Sequence, residues 1–147
     1  MQFIDLKAQY AALKDEINAN MQDVLNDAAF IGGKYVKELE AQLAAFTGRK
    51  HCITCANGTD ALQLAFMALG VGEGDAVFAP DMTFISSTEP AAMFGAVSVF
   101  CDITPDTYNL DPASLERQIK AVLAEGKYTP KAVVAVDILG NPCDYNA

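Results

Sequence analysis

An α/β domain with a mainly parallel sheet and helices on both faces is the architecture expected of this 147-residue sequence. Apolar residues alternate along the chain between helical spacing and short unbroken runs, so the two kinds of element take turns. The unbroken runs are apolar at nearly every position, as in strands buried on both faces, and such strands belong to parallel sheets covered by helices. Hydrophobic residues make up 52% of the chain, enough for a real core at about the length of one domain.

The elements follow in order. Tyr10, Leu13, Ile17, Met21 and Val24 are spaced for one helical face. Phe30-Ile31-Gly32-Gly33 breaks that helix, and a second carries Val36, Leu39, Leu43 and Phe46 with Gly48 as its stop. His51-Cys52-Ile53-Thr54-Cys55 reads as a strand. The third helix, about 59–69, is apolar nearly all round and is expected to be buried. Residues 76–79 form the next strand, about 86–94 a short helix, and 96–100 another strand. Asp111-Pro112 opens an amphipathic helix, with Asp as N-cap and Pro at the first helical position. Residues 132–136 make the last strand, for at least four in all.

Ten basic residues against 19 acidic ones give a net charge of −9. Nucleic acids and anionic membranes are therefore disfavoured as partners, since both are held mainly by basic clusters. No apolar run is long enough to span a bilayer, and the first residues lack the plan of a signal peptide, so a soluble cytoplasmic protein is expected. Cys52 and Cys55 have the spacing of half a zinc or redox site. With His51 as the only histidine and no second pair, buried thiols in a strand are the stronger reading. One histidine also argues against Ser-His-Asp and Cys-His machinery, and no metal site is expected.

Parallel sheets bind ligands at the carboxyl ends of their strands, in the loops that enter the helices. In Asn57-Gly58-Thr59-Asp60, glycine permits close approach. The N–H groups of Thr59 and Asp60, the Thr59 hydroxyl and the helix dipole make an anion site. The alternative is plain capping by Asn57 or Thr59 with nothing bound, and on this loop alone that reading is slightly the stronger. The loop 81–87 places Phe84 just past a strand, where an aromatic can stack on a planar ring, although such a side chain is more often core. Together the two loops suggest a flat, phosphorylated cofactor. Gly70-x-Gly72-x-Gly74 is a turn, because it follows a helix and precedes a strand, the reverse of a dinucleotide fingerprint.

Several stretches then carry a resemblance: Phe3-Ile4-Asp5-Leu6-Lys7, Gly33-Lys34-Tyr35-Val36-Lys37-Glu38-Leu39-Glu40, and Asn57-Gly58-Thr59-Asp60-Ala61-Leu62. With them go the segments 68–75, 83–84, 95–103, 108–112 and 140–145. In this order they resemble the N-terminal part of the DegT/StrS-type nucleotide-sugar aminotransferases, which use pyridoxal 5'-phosphate (PLP) on the aspartate-aminotransferase fold of type I. The resemblance implies that residues 1–147 are an incomplete portion of the PLP-binding large domain, with no second domain. It puts the phosphate on Gly58, Thr59 and Asp60 and the ring-stacking aromatic on Phe84. It also lines the substrate cleft with Ala28 and Phe30.

Family members are well over twice this length, and their Schiff-base lysine and pyridinium-pairing aspartate fall outside this sequence. By that pattern none of the eight lysines here is catalytic, and the chain alone is expected to be inactive. Asp137 is expected to be structural or on the substrate side. For the whole enzyme the resemblance implies a homodimer that moves an amino group, typically from glutamate, to a keto sugar linked to a nucleotide. The closest likeness is to enzymes of UDP-linked 3-keto sugars in surface-polysaccharide synthesis. Two rivals share the motifs or the anion loop: a PLP-dependent sugar dehydratase with histidine for the lysine, and a non-catalytic module that binds a phosphorylated ligand or a partner. A sheet cut after four strands would also leave apolar surface that favours association.

Overall fold

The computed structural model of the chain describes residues 3–146, which form two compact units that divide between Thr54 and Cys55. In the first, helix α1 spans Leu6–Asp27, and the Asp5 carboxylate accepts the Ala8 N–H at 2.9 Å to satisfy its first turn. It ends at Ala28, which adopts the left-handed conformation (φ 50°). Helix α2 spans Lys34–Thr47 and ends at Gly48 (φ 67°). Two polar links tie the helices at their turn. Lys34 pairs with Asp27 at 3.1 Å, and the Tyr35 hydroxyl donates to Asp23 at 2.9 Å. Gly33 has an ordinary φ, but a Cβ there would lie 2.9 Å from the Ala29 carbonyl oxygen, so only glycine fits without a shift.

Both helices form where their spacing indicated, yet their apolar stripes, Tyr10, Leu13, Ile17 and Met21 on α1 and Leu39, Leu43 and Phe46 on α2, are exposed. The strand expected over 51–55 does not form. Thr54 instead gives both its N–H and its hydroxyl to Glu40 Oε1, each at 2.9 Å, and the segment has no ladder partner among the described residues. These two donors hold the Glu40 carboxyl below its ordinary range.

The second unit holds the sheet. Helix α3 (Gly58–Leu69) leads to strand β1 (Asp75–Pro80), a 3-10 turn (Ile85–Ser87), helix α4 (Glu89–Met93) and strand β2 (Val97–Cys101). Helix α5 (Pro112–Glu125) and strand β3 (Thr129–Val133) complete it. Among the described residues the strands are all parallel in the order β2-β1-β3, three where at least four were expected. Helices do cover both faces. Val77 packs with Phe66 of α3 and Ala91 of α4, while its neighbours Ala76 and Phe78 point the other way, onto Val122 of α5.

Three local expectations need correction. Strand β3 begins at Thr129, three residues before the expected start, with a register shift between the pairs Ala76–Pro130 and Val77–Ala132. Pro130 is tolerated because β3 is at a sheet edge and an irregularity absorbs its missing N–H. The single helix expected over 86–94 is broken, since Pro90 cannot donate to the Ser86 carbonyl and its ring would crowd it. Helix α3 buries only Phe66; Leu64, Met67 and Leu69 are exposed.

Replacing Gly33 by alanine should destabilise the α1–α2 turn by about 1–3 kcal/mol through overpacking. Urea titration of the two proteins checks this, and equal midpoints would contradict it.

Candidate functional site

The start of α3 is capped as its sequence allows. Asn57 Oδ1 accepts the Asp60 N–H at 2.9 Å, and Asn57 Nδ2 donates to the Asp60 carboxylate at 3.2 Å. The Ala61 N–H bonds the Asn57 carbonyl at 3.1 Å. That leaves the N–H groups of Gly58 and Thr59 without an acceptor among the described residues. The free pair is thus one residue earlier than expected, because the cap consumes the Asp60 N–H. Asn57 capping does occur, and it coexists with two open donors at the positive end of a twelve-residue helix.

Gly58 is not required by its own surroundings. Its φ is not positive, and a Cβ there would meet nothing within 4 Å. The backbone at Gly58 is thus uncovered on its Cα side, which suits a phosphate approaching it.

The second loop leaves the central strand at Pro80. Parity along β1 points the Phe78 carbonyl to Val134 (2.8 Å) and the Asp81 N–H to the Cys101 carbonyl of β2 (2.9 Å). Residue 80 therefore faces β3, and a proline there has no N–H to extend that ladder. The chain is free to turn away, and hydroxyl bonds fix how it turns. Thr83 Oγ1 and Ser87 Oγ lie 2.7 Å apart, and the Ser87 N–H donates to the Phe84 carbonyl at 3.0 Å. Phe84 thus has a fixed backbone and is 72% exposed as a residue, which is not the core position its residue type most often takes.

The two loops meet. Thr59 Oγ1 and the buried Ser86 Oγ are 2.8 Å apart, which joins the open helix start to the turn that carries Phe84. Gly58, Thr59, Asp60 and Phe84 all belong to the second unit. Sequence reasoning missed Ser86, since nothing local marks a serine as the partner of a threonine 27 positions away.

The remaining candidates have plainer roles. Ala28 and Phe30 belong to the first unit, Ala28 as the left-handed cap of α1 and Phe30 as an exposed ring. Asp137 accepts the Cys143 N–H at 2.9 Å and the Tyr145 hydroxyl at 3.3 Å, which fixes the turn after β3 and holds its carboxyl below the ordinary range. A groove of about 590 Å³ lies near that turn, but its buried amide, Asn109, is already bonded to the carbonyls of Asn141 and Pro142. Cys52 is half-buried and Cys55 exposed, so the expectation of buried strand thiols fails along with the strand. No cluster of metal-ligating side chains occurs among the described residues, and no described helix is long and apolar enough to cross a membrane.

The sequence profile of the DegT/DnrJ/EryC1/StrS aminotransferase family matches residues 11–147. A UDP-2-acetamido-2-deoxy-3-oxo-D-glucuronate aminotransferase of Pseudomonas aeruginosa is 48% identical over all of this chain, which spans 39% of that protein. Among solved structures, a DegT DnrJ EryC1 StrS aminotransferase from Brucella abortus superposes with a TM-score of 0.95 at 44% identity, over 99% of this chain and 39% of that one. A Streptococcus pneumoniae protein described as a putative sugar aminotransferase, in its PLP form, gives a TM-score of 0.74 at 32% identity, over 88% of this chain and 32% of that one.

The lowered Asp137 pKa gives a signed expectation. Its bonds to Cys143 and Tyr145 stabilise the turn above the unfolded carboxyl's range, and that contribution disappears as pH falls through the lower folded value. Amide exchange at Cys143 should therefore stay protected until the pH is below the usual aspartate range. Loss of protection already near neutral pH would contradict the arrangement.

Proposed function

Given that the chain belongs to the DegT/DnrJ/EryC1/StrS aminotransferase family, we propose that Gly58 and Thr59 hold the phosphate of pyridoxal 5'-phosphate, with Asp60 supporting them, and that Phe84 lies against its ring. The observation that carries this reading is the pair of unclaimed N–H groups at Gly58 and Thr59, bonded through Thr59 and Ser86 to the turn of the exposed Phe84. Two amides, a hydroxyl and a helix dipole suit a doubly charged ester. Asp60 acts through the cap: with its N–H and carboxylate bound by Asn57, it orients the first turn. The benzyl group of Phe84 supplies an apolar face for a planar heterocycle. When bound, the cofactor supplies an electron sink for the carbon that carries the amino group.

The whole protein, in this reading, moves an amino group from glutamate to the keto group of a nucleotide-linked sugar, with Ala28 and Phe30 on the substrate side. The 48% identity to the Pseudomonas aeruginosa enzyme favours a UDP-linked 3-keto sugar, hence amino-sugar or surface-polysaccharide synthesis by a cytoplasmic homodimer. The lysine that bonds the cofactor is not one of the eight in this sequence. Asp27 pushes Lys34 up and the Tyr128 side chain pushes Lys127 up, away from the depressed pKa a nucleophilic amine needs. In this reading residues 1–147 alone do not transaminate.

Gly58→Ala tests the cradle, because its methyl enters open space in the apo protein but occupies the phosphate's path. Apo protein carrying the substitution should bind PLP about tenfold or more weakly, a loss near 1.4 kcal/mol, with an unchanged melting temperature. Unchanged affinity in a fluorescence titration would sink the assignment. Separately, residues 1–147 mixed with PLP should give no stable Schiff-base absorbance band, and a persistent band would show that a lysine here is competent after all.

A further inference from the structure

We infer that Ser86 is a positioning residue for the cofactor phosphate: its hydroxyl, 2.8 Å from Thr59 Oγ1, fixes the direction in which Thr59 offers its proton. The inference rests on the phosphate reading of the α3 start and adds a residue to it. A threonine hydroxyl has one proton and rotates freely unless a neighbour selects its orientation. Two orientations compete here, since either oxygen of the Thr59–Ser86 pair can be the donor. If Thr59 donates to Ser86, its proton is consumed and the phosphate meets only lone pairs. If Ser86 donates to Thr59, the Thr59 proton is released to donate elsewhere, on the same helix start as the two free N–H groups of Gly58 and Thr59.

An incoming dianion selects the second arrangement, because only that one presents three donors and no facing lone pair. Ser86 is suited to this part. It is buried, so water competes poorly for its proton, and it is the middle residue of the short 3-10 turn. The turn's flanks are held by the Thr83–Ser87 bond and by the Thr88 N–H to the Ile85 carbonyl at 3.1 Å. The turn fixes the serine Cβ, and burial and the bond to Thr59 hold its oxygen, so the relay Ser86 to Thr59 to phosphate needs only a hydroxyl rotation when the anion arrives. The same bond couples phosphate capture to the turn of Phe84, so the two ends of one ligand are read by a single connected unit.

The test uses the intact protein, apo, with PLP as the probe and four variants: Ser86→Ala, Ser86→Thr, Thr59→Ala and the Ser86→Ala/Thr59→Ala pair. Ser86→Ala should weaken PLP binding by about fivefold to tenfold, the size of one hydrogen bond between neutral groups, and shift the phosphorus NMR signal of bound cofactor. Ser86→Thr, which keeps the hydroxyl, should restore both. In the double variant the loss should be no greater than for Thr59→Ala alone, because Ser86 acts through Thr59. Unchanged affinity and phosphorus signal in Ser86→Ala would overturn the inference. So would a loss that adds to that of Thr59→Ala, or one that tracks a lower apo melting temperature and is not rescued by threonine, since either marks a merely structural bond. If Thr59→Ala and Gly58→Ala both leave PLP affinity intact, the cradle itself is wrong and the relay falls with it; if they weaken binding and Ser86→Ala does not, only the relay falls.

Discussion

Strand β1 is sealed on both faces, with Ala76, Val77, Phe78 and Ala79 all at or below 1% exposure. A strand so placed has no freedom of register. A one-residue slip would exchange Val77, packed against α3 and α4, with Phe78, packed against α5, and would put a large ring where a smaller branched side chain fits. Burial of this one strand fixes where its carboxyl end emerges, and hence where Phe84 stands. The neighbouring strands inherit their positions from it, since both pair with β1 and not with each other. The position of the candidate site is in this sense a consequence of hydrophobic packing, and the polar chemistry is added at a point the core has already chosen.

The polar layer is economical. Asn57 closes α3 with a reciprocal pair of bonds to Asp60, and the two N–H groups it leaves open are the ones nearest the entering chain. Hydroxyl pairs do the rest: Thr83 with Ser87 shapes the turn, and Thr59 with Ser86 fastens that turn to the helix. No described buried side-chain polar atom lacks a partner, so the open donors at the start of α3 are backbone groups alone.

Local chemistry was readable in the sequence, and neighbourhood was not. The Asp111-Pro112 start of α5 and the glycine stop at Gly48 depend on a few adjacent residues, and both occur as expected. The strand over 51–55 failed because an apolar β-branched pattern describes an environment and cannot supply the neighbours that make a ladder. Strand β3 was placed three residues late because Thr129-Pro130-Lys131 looks like a turn, and only its edge position makes the proline acceptable. The burial expected for α3 failed for a related reason: a helix that is apolar all round needs cover on every side, and the described layers cover only the side of Phe66. The loop 57–60 was legible as residue types, and its open N–H pair became visible only when the cap was seen to consume the Asp60 amide.

Pro80 is the last residue of the central strand, and its imino nitrogen faces β3. Any backbone that approaches along that flank finds no hydrogen to accept, so zippering of the two strands halts at a covalently determined point whatever residues follow in β3. The two strands part by subtraction: one missing atom, and no added group, ends their pairing at the carboxyl end of β1.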